Sequence, residues 1–113
     1  MEIFITSHLD FVSLQFVGEL DALSSVQADE AFRQLIESGK FNIHLDFSAL
    51  EYISSAGIGV ILSHQEELSQ NGKGMVFSGL SPKVLNVFQL LGLDKIFPIC
   101  EDVIQAEAYF ATK

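Results

Sequence analysis

Gly39, Gly72 and Gly92 each separate a stretch with helical spacing from one with strand composition. Glycine suits the residue just past a helix, because it enters the left-handed conformation without a Cβ penalty. Before Gly39, the residues Ala28, Phe32, Leu35 and Ile36 share one helical face, and "FNIHLDF" follows with Ile43, Leu45 and Phe47 alternating. Before Asn71-Gly72, the stripe is Ile58, Ile61, Leu62 and Leu68, and "GMVFSGL" follows. Before Gly92, it is Val84, Leu85, Phe88 and Leu91, and "KIFPI" follows, which Pro98 confines to an edge or an end. A helix-then-strand alternation repeated three times favours parallel crossovers in one sheet.

The remaining elements complete the order. "EIFITSH" and "FVSLQFVG" are rich in β-branched and aromatic residues, and Leu9-Asp10 between them predicts an antiparallel hairpin. "GELDAL" reads as a loop. Ser24 then opens a helix, with Gln27 completing a capping box. "SALEYI" reads as a lead into the next helix, Ser81-Pro82 as a cap with proline at the first helical position, and Asp102 as the cap of a last helix over 103–111. The expectation is a single α/β domain over 1–113, ordered β-β-α-β-α-β-α-β-α. Its mixed sheet has about five strands and is packed by four helices.

Composition narrows the function. With 113 residues, ten of them phenylalanine, one real core can form. The net charge is −9 and the basic residues are scattered singly, so neither nucleic acid nor an anionic membrane surface is expected as a partner. Residues 1–32 and 41–72 contain acids but no Lys or Arg. Cys100 is the only cysteine, which excludes an internal disulfide and a thiolate metal cluster. "MEIFITSHLD" has no basic n-region, and no apolar run approaches the ~20 residues of a membrane span. A soluble cytoplasmic protein is expected.

Most reactive residue types have ordinary explanations. His8, His44 and His64 never pair at i+3 or i+4, so no metal site is expected. Cys100 has no basic neighbour to lower its pKa and reads as a small packed hydrophobe. Ser55, His64 and Asp46 or Asp21 supply the residue types of a hydrolase, but no GxSxG elbow is present. Ser55 and His64 would sit ~13 Å apart along one helix, beyond hydrogen-bond reach. Gly72, Gly74 and Gly79 lack the Lys-Ser/Thr ending of a phosphate loop. No cofactor and no catalytic residue is expected.

"EYISSAGIGV" is different. Ser54 and Ser55 precede a helix whose first turn holds Gly57 and Gly59, although a helical glycine costs roughly 1 kcal/mol against alanine. Ser54 is a natural cap. Ser55 would stand beside free backbone N–H groups. The two glycines would let another backbone approach, and Asp21 and Asp46 are expected at the same strand-terminal rim. An acidic, uncovered rim around a serine suits protein contact better than anion capture.

The stretch "LDFSALEYISSAGIGVIL" resembles the signature of the STAS domain, found in bacterial anti-sigma factor antagonists. "GELDAL" is similar to the family's loop after its second strand, and "GLSPKVLNVFQLLGLDKIFPI" to its third helix and last strand. The resemblance implies that Ser55, ahead of Ala56, Gly57 and Gly59, is phosphorylated by the anti-sigma factor, a serine kinase of the histidine-kinase-like ATPase fold. It also implies that the unmodified chain binds that kinase and frees the sigma factor, and that a serine phosphatase resets the switch. Many members have aspartate where this chain has Ser54, which leaves Ser54 as the less favoured phosphorylation site. The implied contact surface is Asp21, Asp46, Ser54, Ala56, Gly57, Gly59 and an exposed Val60, with a homodimer as another use of Gly59 and Val60. The alternative is a constitutive STAS subunit of a stressosome-like or transporter-ATPase assembly.

Overall fold

The two N-terminal apolar runs form a hairpin, β1 (Glu2–Ser7) antiparallel to β2 (Val12–Leu20). The computed structural model describes residues 1–112, so Lys113 lies outside the described residues. After the hairpin come α1 (Ser24–Glu37), β3 (Asn42–Ile53), α2 (Ser55–Asn71), β4 (Gly74–Ser78), α3 (Pro82–Leu90), a 3-10 turn (Leu93–Lys95), β5 (Ile99–Cys100) and α4 (Val103–Ala111). The sheet order is β1-β2-β3-β4-β5, and every pair after the hairpin is parallel. Among the described residues no helix is long and apolar enough to cross a membrane.

The local signals act as the sequence suggests at most boundaries. Gly39 (φ +76°) closes α1, with its N–H and that of Lys40 donating to the carbonyls of Ile36 and Leu35. The hydroxyls of Ser54 and Ser81 accept from the N–H groups of Gly57 and Val84, and the Asp102 carboxylate accepts from Gln105. Four expectations are corrected. Glu19 and Leu20 belong to β2, so the loop is shorter than "GELDAL". The box that opens α1 is Asp21 with Ser24, one turn ahead of Ser24 and Gln27. The Ser24 N–H donates to Asp21 Oδ1 (2.9 Å) and the Asp21 N–H donates to Ser24 Oγ (2.9 Å). "SALEYI" is strand: it goes on pairing with β2, and a register shift that skips Glu51 lets both Leu50 and Ile53 be buried against the core. β5 is only two residues long, since Lys95 to Phe97 go into the 3-10 turn and its exit.

Alternation along the strands divides the interior into two faces. Leu14, Phe16, Ile43, Leu45, Phe47 and Phe77 point to α1, α2 and α3 and make the main core with Phe32, Ile61 and Phe88. Phe47 is its hub. Its ring lies 5.4 Å from Phe16, 5.3 Å from Phe77 and 6.3 Å from Phe88 in edge-on contacts. Leu62 and Leu91, expected on buried stripes, stand partly exposed at the margins of α2 and α3.

The other face carries a smaller cluster, Phe11 and Val76 under Ala106 and Phe110 of α4. It also holds a polar chain. His44 Nδ1 is bonded to Ser13 Oγ (2.8 Å), His44 Nε2 to Ser78 Oγ (2.6 Å), and Ser13 Oγ to His8 Nε2 (3.1 Å). Each polar atom of the buried ring thus has a partner. Burial pushes the His44 pKa down, Asp46 opposing and His8 assisting. His64, expected on the helix surface, lies in the seam between α1 and α2. Its Nε2–H donates to Asp29 Oδ1 (2.6 Å), its ring stacks on Phe32, and Arg33 Nε holds Asp29 Oδ2 (2.8 Å). The His64 bond is the main reason the Asp29 carboxyl is held below its usual range.

Candidate functional site

β2 and β3 outrun their neighbours. β4 pairs with β3 only as far as Asp46, and β1 pairs with β2 only as far as Val17. Beyond those points a two-stranded ribbon continues, Val17 to Leu20 beside Ala49 to Ile53, with register shifts that mark bulges. Its last pair is Leu20 with Ile53. One residue further on, the chains turn away, at Asp21 towards α1 and at Ser54 into α2. The Ser54 N–H donates to the Leu20 carbonyl (2.8 Å), which ties the two turns together.

At the head of α2 the two serines have separate roles. Ser54 is extended (φ −93°, ψ 169°), half-buried, and its hydroxyl caps the Gly57 N–H at 3.2 Å. Its carbonyl accepts from the Ile58 N–H (3.0 Å). Ser55 is the first helical residue and is exposed. No hydrogen bond within the protein holds its hydroxyl among the described residues. Ala56 beside it is also exposed.

The two glycines serve opposite ends. Gly57 faces inward. A Cβ there would lie 2.7 Å from Leu20 Cγ and 3.2 Å from Ile53 Cγ1, so the missing side chain lets α2 settle on the ribbon's last pair. Gly59 is exposed, and a Cβ there would meet nothing within 4 Å. Only Gly59 therefore fits the expected bare surface. Gly59→Ala is expected to stabilise the protein by about 0.5–1 kcal/mol through helix propensity, and Gly57→Val to destabilise it by about 1–3 kcal/mol through overpacking. Denaturant midpoints of the two variants check this, and equal shifts would remove the distinction.

Two other expected rim residues lie elsewhere. Val60 is half-buried and packs against the main core, because its helical position turns it towards the sheet. Asp46 is on the α4 face of β3, on the order of 20 Å along the strand from Ile53 at about 3.3 Å per residue. Its carboxylate accepts from the N–H and hydroxyl of Ser48 (2.9 and 2.6 Å). The error came from ending β3 too early. Asp21 does stand beside the Ser54 turn, and its hydrogen bonds from Ser24 hold its carboxyl below the usual range.

The surroundings of Ser55 include residues that sequence reasoning missed. On one side Tyr52, Ile58, Val87 and Leu91 line an apolar groove that reaches Ser54 and Ser55. Beside the Asp21 turn is an acidic hollow with Glu19 and Glu51. Tyr52 and Leu91 are 41 % and 58 % exposed, large apolar side chains left outside. Glu51 and Tyr52 are adjacent, so no strict alternation turns both outward; the register shift that leaves Glu51 without a partner in β2 exposes both. His64 is engaged with Asp29, so it is no base for Ser55. Among the described residues no three His, Cys, Asp or Glu side chains gather as a metal-ligand set. Cys100 is half-buried, and burial followed by Asp102 raises its pKa.

Comparison with known proteins agrees with this architecture. Residues 3–106 match the STAS domain family. The chain is 32 % identical to BtrV of Bordetella bronchiseptica over 84 % of this chain and 82 % of that one. It is 25 % identical to the anti-sigma-B factor antagonist of Staphylococcus epidermidis over 84 % and 88 %. The Thermotoga maritima protein TM1081 superposes with a TM-score of 0.91 at 24 % identity, covering 97 % of this chain and 95 % of that one. The Bacillus cell fate determinant SpoIIAA, solved in its phosphorylated form, superposes at 0.74 with 22 % identity, covering 96 % and 99 %. These two likenesses show the fold, and the family match extends over nearly the whole chain: the protein belongs to the STAS domain family.

Proposed function

We propose that this protein is an anti-sigma factor antagonist switched by phosphorylation of Ser55. In the unmodified state it binds an anti-sigma factor that is also a serine kinase of the histidine-kinase-like ATPase fold, and so frees a sigma factor in the cytoplasm. Phosphate on Ser55 ends that binding, and a serine phosphatase restores it. The protein itself carries out no chemistry; it is the kinase's substrate and ligand.

The observation that carries this reading is the contrast between the two hydroxyls. Ser54 Oγ is committed to the Gly57 N–H, whereas Ser55 stands exposed with no partner for its hydroxyl among the described residues. That favours Ser55 as the acceptor. The Ser54 hydroxyl caps the helix at the position where many members of the family have aspartate. Ala56 and Gly59 leave the approach low, and the groove of Tyr52, Val87 and Leu91 offers apolar footing beside it. The relatives named as antagonists support the partner class.

The test is phosphate transfer. Incubated with ATP and an extract of its own cells, the protein is expected to gain one phosphate, placed on Ser55 by fragment masses and absent from Ser55→Ala. Phosphate on Ser54 would refute the assignment of the acceptor. No phosphate, with an active kinase control in the same extract, would refute the switch and leave the constitutive STAS subunit as the reading.

A further inference from the structure

β1 has the sequence of an interior strand but lies at the rim of the sheet. Ile3, Phe4 and Ile5 are consecutive, so the strand is apolar on both faces, the pattern of a strand covered above and below. Yet β1 has one neighbour, β2, and Phe4 and Ile5 are 49 % and 52 % exposed. On one face Ile3 and Ile5 form an apolar trough with Ala31 of α1, rimmed by Gln27, Glu30 and Gln34. Phe4 stands on the other face. Edge strands are normally guarded by brevity, proline, lysine or a bulge. β5 has such guards, being two residues long, directly after Pro98 and packed by α4. β1 has six residues without proline or lysine, and its register with β2 is unbroken from Glu2 to Ser7.

We propose that a second copy of this chain pairs with β1, antiparallel about a two-fold axis normal to the sheet, and joins the two five-stranded sheets into one. Charge tells where this occupant can dock. Two chains of net charge −9 repel each other overall, and the repulsion is least where the facing segments carry no charge; Ile3 to Leu9 contains no Asp, Glu, Lys or Arg. A basic partner would be drawn instead to the rim of Glu19, Asp21 and Glu51. Such an axis preserves the faces of the sheet, so residues of equal parity oppose each other. Centred on Phe4, the register sets Phe4 against Phe4, Ile3 against Ile5 and Glu2 against Thr6. The two Glu2 carboxylates are then ~13 Å apart along the strand, beyond the ~8 Å Debye length of physiological salt. The incoming strand is already folded, so pairing forgoes the ordering cost that a disordered peptide would bear. The head of α2 lies past the end of β1, which leaves both Ser55 hydroxyls open.

Sedimentation velocity of the full chain, from micromolar to millimolar, tests the proposal without any phosphorylation. Twice the chain mass is expected for the wild type. Ile5→Lys and Phe4→Lys should each raise the dimer dissociation constant at least about tenfold, with unchanged circular dichroism, while Leu91→Lys should leave it alone. The two lysines lie on opposite faces of β1, so folding of either variant suffices. Outward β1 amides should exchange slowly in the wild type and fast in the lysine variants. A wild type that stays monomeric at millimolar concentration overturns the proposal. So does a dimer that withstands both lysines, or one that Leu91→Lys disrupts.

Discussion

Phosphorylated on Ser55, the protein is expected to bind its kinase about 30- to 200-fold more weakly than the unmodified form, a loss of about 2–3 kcal/mol. The size follows from charge. A phosphoserine adds about −1.5 to −2 charges. One unit-charge pair ~6 Å apart is worth about 2–3 kcal/mol at an effective dielectric near 20, before salt screening. The local surface has little with which to absorb that charge. Residues 41–72 hold no Lys or Arg, and Asp21, Glu19 and Glu51 are already on the rim. The Ser55 and Ala56 N–H groups can receive a phosphate oxygen, so the modification should leave the fold intact. Titration of the kinase with both forms, by calorimetry or anisotropy, measures the ratio. Equal affinities would sink the switch even if phosphate transfer to Ser55 were established. High salt should shrink the difference.

Phe47→Ala is expected to cost about 3–5 kcal/mol, a large share of the roughly 5–15 kcal/mol of a typical domain. Phe47 is fully buried and meets Phe16 of β2, Phe77 of β4 and Phe88 of α3. Three elements therefore lose their common contact, and the facing rings are too rigid to close the cavity. Phe47→Leu, which keeps much of the volume, should cost markedly less. Urea unfolding of the three proteins decides the matter. A loss under about 1 kcal/mol for Phe47→Ala would mean that the hub collapses onto itself, against the partial relaxation seen in well-packed cores.

Local chemistry explains which parts of this fold were legible. Gly39 and Gly92 adopt positive φ, and Ser54, Ser81 and Asp102 cap with their own side chains, so their signals needed only neighbouring residues. The central apolar strands were legible from composition. The far end of β3 was not, because beyond Asp46 it lacks a β4 neighbour and turns Ser48, Glu51 and Tyr52 to solvent, which reads as loop. That early ending misplaced Asp46. The α1 cap was missed because the Asp21 and Ser24 pairing depends on the chain leaving β2 at Leu20. The inward role of Gly57 depends on Leu20, far away in sequence, and no spacing rule reveals it. The placement of Ser55 was legible because its setting is local, an exposed residue one step past a cap.

The two rims of the sheet differ in a way that bears on how far strand pairing can spread. β5, with its two residues after Pro98, is a dead end. A sheet open at both rims could add molecules without limit and run into a filament. Of this sheet's two outermost strands only β1 is receptive, so a strand that docks there finds no second outermost strand from which to continue. A mutation that lengthened β5, or exchanged Pro98 for a residue with a backbone N–H, would remove the stop. It would turn a pairing that closes on itself into one that polymerises.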